Sequence, residues 1–232
     1  MKGKLYMIPV PISEEGVHTL SPEIAIHCGR IKHFFVEHLR EARRFLKSVD
    51  KSIDIDSCSF SEMNEHQVPD IALLLRWLRE GLEIGVLSDA GCPGIADPGA
   101  ILAEAAQQKG FRVIPLVGPS SVLLALMASG MNGQSFAFNG YLPVKEPGRA
   151  KRIKELESRS AIENQTQLFI ETPYRNNQLL KDLIKTCKGE TRLCIALDIT
   201  APNENIRTRT IREWEKENPE LPKQPGIFLL MA

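Results

Sequence analysis

Four short segments concentrate the residues whose types could do chemistry: PVPIS at 9–13, SDAGCPGIADPG at 88–99, VGPSS at 117–121 and ETPYRN at 171–176. Each follows an apolar run and mixes Pro, Gly or Ser with small polar side chains. Glycine permits close backbone approach and proline fixes the chain, so such loops present main-chain N–H and C=O groups to a ligand. The established phosphate fingerprints are missing, since neither G-x-x-x-x-G-K-[ST] nor a G-x-G-x-x-G after the first strand occurs. Metal ligation is not expected either, because His18, His27, His33, His38 and His66 show no H-x-x-x-H or H-E-x-x-H spacing. Two readings of SDAGCPGIADPG stay open on residue types alone, a ligand loop and a structural turn. Asp89 at a strand end suits an Asx-type turn that accepts N–H groups from its own loop, and Asp97 before Pro98 suits a helix N-cap with proline at the first helical position.

These loops need elements to hold them, and the pattern supplies strands and helices in alternation. LYMIPV (5–10), HFFVE (33–37), a weakly alternating IDIDSCSF (53–60), EIGVLSD and FRVIPLV read as strands. Between them lie helical stretches: SPEIAIHCGRI with Ser21 as N-cap and Pro22 behind it, HLREARRFLKSV, IALLLRWLREG and PGAILAEAAQQKG. Strand, crossover helix and strand in succession predict a mostly parallel sheet covered on both faces. The second half carries the helix SVLLALMASG, the strand SFAFNGYL, the charged helix KEPGRAKRIKELESR, the strand QLFIE and the helix RNNQLLKDLIKTC. RLCIALDIT, NIRTRTI and GIFLLMA are further strands, with a short helix at REWEKEN, so this sheet is expected to be mixed. The fold class is therefore two α/β domains, 1–117 and 118–232, with a cofactor cleft expected between them.

The whole-chain figures set limits. The 232 residues carry 29 Lys plus Arg against 29 Asp plus Glu, so any nucleic-acid substrate must be met by a local basic surface. A basic cluster is present at Arg149, Lys151, Arg152 and Lys154; on one helix Lys145, Arg149 and Arg152 form either a phosphate track or a solvated face balanced by Glu155 and Glu157. Arg175 is a further candidate for RNA contact or structural pairing. Aromatic residues make up 6%, too few for an extensive base-stacking platform. The five cysteines form no C-x-x-C pair, and no signal segment or apolar run of about 18 residues is seen, so a reduced, cytoplasmic protein without a membrane span is expected.

LYMIPVPI, VLSDAGCPGIADPG, IPLVGPSSVLLALMASG, FNGYLPVKEPGRAKRIKEL and LFIETPYRNNQLLKDL occur in the order and approximate spacing of the tetrapyrrole methylase superfamily. The chain resembles most its ribosomal RNA small-subunit branch, which methylates a cytidine ribose 2′-hydroxyl with S-adenosylmethionine. The resemblance implies two α/β domains holding S-adenosylmethionine, in a homodimer acting on the small ribosomal subunit. Carried over by position, Pro11, Ile12, Asp89, Ala90, Gly91 and Cys92 meet the cofactor from the first domain. Ser120 and Ser121 follow at the crossover, and Glu171, Thr172, Leu197 and Pro225 come from the second domain. The chain departs from the branch at three places: Ser13-Glu14 stands for a G-N pair, Glu37-His38-Leu39-Arg40 for E-D-T-R, and LDITAP, with Ala201, for R-E-L-T-K. Methyl transfer to a hydroxyl also needs a proton acceptor, for which Glu37 and His38 are the candidates; pairing of Glu37 with Arg40 or Arg43 is the structural alternative. Two other functions remain compatible with these departures: methylation of a tetrapyrrole precursor or another small molecule, and cofactor or RNA binding without turnover.

Overall fold

A computed structural model describes residues 2–64 and 67–232, and the chain divides into two compact units, Met1–Ser120 and Ser121–Ala232. His66 lies outside the described residues. The first unit runs β1 (Lys4–Met7), α1 (Pro22–Arg30), β2 (His33–Val36), α2 (Leu39–Val49), β3 (Ser59–Glu62), α3 (Ile71–Arg79), β4 (Glu83–Leu87), α4 (Gly99–Gln108) and β5 (Arg112–Pro115). Its strands stand in the order β3-β2-β4-β1-β5, all parallel. Side chains alternate across the sheet, so Phe34 packs with Ile24 and Leu46 of α1 and α2, while Phe35 packs with Leu74, Trp77 and Leu102 of α3 and α4. Each such fully buried side chain contributes about 1.5–3 kcal/mol. The parallel sheet expected from the sequence, covered on both faces, is what the chain forms.

Local chemistry sets the element ends. Ser21 Oγ accepts the Glu23 N–H at 3.3 Å at the start of α1, and Asp70 Oδ1 accepts the Leu73 N–H at 2.9 Å at the start of α3. β1 stops at Met7 rather than Val10: Ile8 still donates to Val86, but Pro9 has no N–H with which to continue the ladder. The expected strand over 53–60 begins only at Ser59, because Asp50 and Asp54 turn the preceding segment by accepting the Ser52 and Asp56 N–H groups.

The second unit runs α5 (Ser121–Ser129), β6 (Phe136–Tyr141), α6 (Gly148–Glu163), β7 (Thr166–Glu171), α7 (Asn176–Thr186), β8 (Arg192–Leu197), β9 (Asn205–Thr210), α8 (Ile211–Glu217) and β10 (Gly226–Met231). Its order is β6-β7-β10-β8-β9, with β6 and β7 parallel and the other pairs antiparallel, the mixed sheet expected. α6, α7 and α8 cover one face through Ile153, Leu156, Leu183 and Trp214, and α5 covers the other through Val122, Ala125 and Leu126. Thr210 and Glu213 close a capping box on α8. Among the described residues no helix is long and apolar enough to cross a membrane, and no group of three His, Cys, Asp or Glu could hold a metal ion.

Candidate active site

In the first unit every strand points the same way, so the carboxyl ends of β3, β2, β4 and β1 lie side by side along one edge of the sheet. The chain leaves β1 towards β2 but leaves β4 towards β5, and at such a reversal the loops diverge and open a crevice. Glu37 and His38 follow β2, Glu62 ends β3, and Ser88 and Asp89 follow β4. Sequence separation of about fifty residues thus becomes direct contact.

The Asp89 N–H donates to Glu37 Oε2 at 2.5 Å, and Asp89 Oδ2 meets His38 Nδ1 at 2.5 Å. Glu62 Oε1 accepts the Leu39 N–H at 2.8 Å and so fixes the first turn of α2 directly behind His38. Glu37 therefore faces the β4 loop instead of Arg40 or Arg43; the Arg43 guanidinium lies over the Phe60 ring, 5.7 Å from its centroid. Burial pushes the Glu37 carboxyl up from its ordinary pKa, opposed by the Asp89 N–H. The hydrogen bond to Asp89 pushes the His38 pKa up.

Two expectations about the β4 loop are corrected. Asp89 was expected to shape its own Gly-rich turn, but its carboxylate is taken by His38, and Asp97 does the shaping. The Asp97 carboxylate accepts the Gly94 N–H at 2.9 Å and the Gly99 N–H at 2.7 Å, tying both ends of the turn to one side chain. Nor is Asp97 the N-cap: α4 starts at Gly99, Pro98 holds the cap position, and Asp97 sits one residue earlier. Burial raises the Asp97 pKa.

Ser88 and Asp89 line a cavity of about 470 Å³ together with Val10, Pro11, Ile12 and Phe45. Gly91 joins this wall to the loop after β5: its φ is +71°, and a Cβ there would stand 3.6 Å from the Pro119 carbonyl and 4.0 Å from Ile12. Val10 donates to the Gly91 carbonyl at 2.9 Å, and Cys92 Sγ lies 3.3 Å from the Pro119 carbonyl, with burial raising its thiol pKa. Ala90 accepts a hydrogen bond from Ser88, and Ser120 ends the unit. Pro11, Ile12, Asp89, Gly91 and Cys92 are thus neighbours within one unit.

In the second unit, antiparallel register aligns Gly226 with both Glu171 and Leu197. Glu171, Thr172, Leu197 and Pro225 therefore gather at one end of the sheet, although they are far apart in sequence; Ser121 opens α5 instead. The Glu171 carboxylate is buried and accepts both the Thr172 N–H at 2.7 Å and Arg175 Nε at 2.8 Å. The Pro225 carbonyl accepts the Asp198 N–H at 3.0 Å, and Leu197 is buried in the sheet. Asn176, not singled out from the sequence, stands at the same end: it is fully buried, donates to the Gln224 carbonyl at 2.8 Å, and its Oδ1 has no hydrogen-bond partner among the described residues.

The basic cluster of α6 is also corrected. Arg149 is 4% exposed, its Nη1 is 2.5 Å from Asp182 Oδ2, its Nε donates to the Pro143 carbonyl, and its Nη2 donates to the Val144 carbonyl. A guanidinium so fully engaged offers nothing to a phosphate track. Arg152 is half-buried, bonded to Asn139 and Glu155, while Lys145, Lys151 and Lys154 are exposed. Arg175 is half-exposed and paired with Glu171.

A family model described as "Tetrapyrrole (Corrin/Porphyrin) Methylases" matches residues 24–215. The chain belongs to the tetrapyrrole methylase family. As a family member it is a methyltransferase, and its two sheets are the family's fold. The Vibrio cholerae protein named "Ribosomal RNA small subunit methyltransferase I" is 31% identical over 229 residues, covering 97% of this chain and 76% of the relative. A protein of the same name from Escherichia coli O157:H7 is 31% identical over 246 residues, covering 99% of this chain and 78% of that relative. Among solved structures, the uroporphyrin-III-C-methyltransferase from Thermus thermophilus superimposes with a TM-score of 0.59 at 18% identity, covering 99% of this chain and 94% of the other. The methyltransferase CobJ gives 0.63 at 17% identity, covering 100% and 94%. At these identities the structural likeness speaks for the tetrapyrrole methylase fold alone.

Proposed function

We propose that this tetrapyrrole methylase family member transfers a methyl group from S-adenosylmethionine to a ribose 2′-hydroxyl of small-subunit ribosomal RNA. The observation that carries the reading is the 31% identity over 97% of the chain to a protein named for small-subunit ribosomal RNA methylation. The structural neighbour named for a uroporphyrin substrate shares only 18% of residues.

The residues present suit a sulfonium cofactor. Its positive charge matches the acidic character of the cavity wall at Asp89, and Gly91 admits a ligand close to the backbone. In the first unit Pro11, Ile12, Asp89, Ala90, Gly91, Cys92 and Ser120 would hold it. In the second unit Ser121, Glu171, Thr172, Leu197 and Pro225 would do so, and the buried Asn176 Oδ1 offers an acceptor beside them. When bound, the cofactor supplies an electrophilic methyl group; alignment and exclusion of water fall to the protein. Arg152 and Arg175, with the exposed lysines of α6, are the proposed RNA contacts. Acting on ribosomal subunits implies a cytoplasmic enzyme, and we propose that it works as a homodimer.

Methyl-labelled S-adenosylmethionine, incubated with the protein and unmodified small ribosomal subunits, is expected to place label in RNA that digests to a 2′-O-methylated nucleoside. Label in uroporphyrinogen-type tetrapyrroles and none in RNA would overturn the reading. Titration with S-adenosylhomocysteine tests the cofactor separately, and absence of binding at millimolar ligand would remove it.

A further inference from the structure

Where the resembling branch carries aspartate, this chain places His38, and the fold gives that imidazole a carboxylate partner from a different strand. His38 follows β2 and Asp89 follows β4, neighbours in the sheet, so the backbone itself sets the 2.5 Å contact between Nδ1 and Oδ2. Asp89 is in turn anchored from behind: its N–H donates to Glu37 Oε2 at 2.5 Å, and Glu37 extends β2 by donating its own N–H to the Leu87 carbonyl at 3.3 Å. On the other side, Glu62 holds the Leu39 N–H. A ring that donates Nδ1–H to a carboxylate keeps its lone pair on Nε2, the tautomer required of a proton acceptor. The His38 side chain is 58% exposed, so an approaching ligand reaches the ring. The cavity of about 470 Å³ reaches the ring's partner Asp89, with Pro11 and Ile12 on the proposed cofactor wall and Ser13, Arg44, Phe45 and Ser48 completing the lining, well inside the roughly 300–1,000 Å³ range of small-ligand sites.

We propose that His38 takes the proton from the acceptor hydroxyl during methyl transfer, with Asp89 as the positioning residue for its ring and Glu37 as the anchor for Asp89. The inference rests on the reading of the protein as a 2′-O-methyltransferase. In the step, the hydroxyl O–H bond breaks towards Nε2 while the oxygen forms its bond to the methyl carbon. The S–C bond breaks and its electron pair stays on sulfur, which leaves as the neutral thioether of S-adenosylhomocysteine. The imidazolium then releases its proton to water.

The charged groups around the ring favour this role. Asp89 lies against it from the β4 loop, Glu37 from the end of β2 and Glu62 from the end of β3, and Asp97 acts on Glu37. Asp89, Glu37 and Glu62 are acidic and each favours the imidazolium that forms, Asp89 having the largest effect. The neutral ring is the active form. Activity is therefore expected to rise with pH through the His38 titration, at a midpoint above the ordinary histidine value of 6.5.

The test measures methyl transfer from S-adenosylmethionine to unmodified small ribosomal subunits from about pH 5.5 to 9, for the wild-type protein and for His38→Ala, His38→Gln and Asp89→Asn. His38→Ala and His38→Gln are expected to lower kcat by about 10²–10⁴-fold with little change in KM, to abolish the rising limb, and to leave S-adenosylhomocysteine affinity intact. Added imidazole is expected to restore part of the rate of His38→Ala. Asp89→Asn should move the rising limb down towards 6.5. Histidine NMR titration reads the same shift without turnover: His38 is expected to titrate above 6.5 in the wild type and lower in Asp89→Asn than in the wild type. Wild-type kcat and an unchanged limb in both His38 variants would overturn the assignment, as would a wild-type His38 that titrates at or below 6.5. If the wild-type protein methylates no RNA, the proposed function fails and this assignment fails with it; active His38 variants beside an active wild type sink the assignment alone.

Discussion

Replacing Arg149 by Met removes a positive charge from a site where only 4% of the residue meets solvent and leaves the Asp182 carboxylate without its cation. Three donor atoms are lost together, to Asp182 and to the Pro143 and Val144 carbonyls, and Gln178 is the remaining donor to Asp182. Val144 is an exposed residue whose carbonyl can turn to water, so the main cost falls on Asp182, whose side chain is 12% exposed. Breaking one partner of such a pair costs about 3–5 kcal/mol. At about 2–8 °C per kcal/mol for chains of this size, the melting midpoint should fall by at least roughly 6 °C. Urea unfolding followed by tryptophan fluorescence is a direct assay, because Trp214 is buried in the same core. The double variant Arg149→Met with Asp182→Leu should recover more than half of the loss, since the uncompensated charge is gone. The slope of RNA affinity against salt should stay at the wild-type value in both variants. A loss below about 1 kcal/mol in the single variant, or a salt slope reduced by about one, would refute the assignment of Arg149 to the fold.

Gly91→Ala must hold an alanine at φ +71°, which costs about 1–2 kcal/mol, and S-adenosylhomocysteine affinity measured by calorimetry should fall by about tenfold; unchanged affinity and stability would show that the loop tolerates a side chain there. Asp97 binds its proton more tightly folded than unfolded, so more protons are bound in the native state and stability falls as pH rises from 3.8 through the folded-state value. Asp97→Asn should flatten that fall in urea midpoints measured across the window, and an unchanged pH slope would contradict it. Burial pushes the Cys28 thiol up to about 12, so native protein treated with iodoacetamide at neutral pH should show no adduct on Cys28 by mass spectrometry; rapid labelling there would contradict the burial.

The first sheet is legible in the sequence because a parallel sheet needs continuous apolar runs, and HFFV supplies both faces, with Phe34 and Val36 on the α1 and α2 side and His33 and Phe35 on the α3 and α4 side. The contact between His38 and Asp89 is not legible, since it depends on β2 and β4 being neighbours while β3 lies outside them, and strand order is not written in local pattern. Arg149 was expected on a solvated side because charged residues fill its helix. Its burial follows from position: Arg149, Ile153, Leu156 and Ser160 form one stripe at helical spacing, all buried, with the arginine at its start. The end of the second sheet that gathers Glu171, Leu197 and Pro225 depends on antiparallel register, again beyond local reading.

β10 is the last strand in chain order and the central one of the second sheet, hydrogen-bonded to β7 on one side and β8 on the other. During synthesis the first sheet has all its strands once Pro115 has emerged, but the second remains two separate strand pairs until Gly226 follows. At about 5–20 residues per second that interval lasts roughly 5–20 s. From the moment each is made until β10 follows, the apolar strands β7 and β8 present an unpaired edge, the feature that recruits stray strands from other chains. The nascent second unit is therefore the stage of this protein's life most exposed to aggregation and most dependent on chaperones.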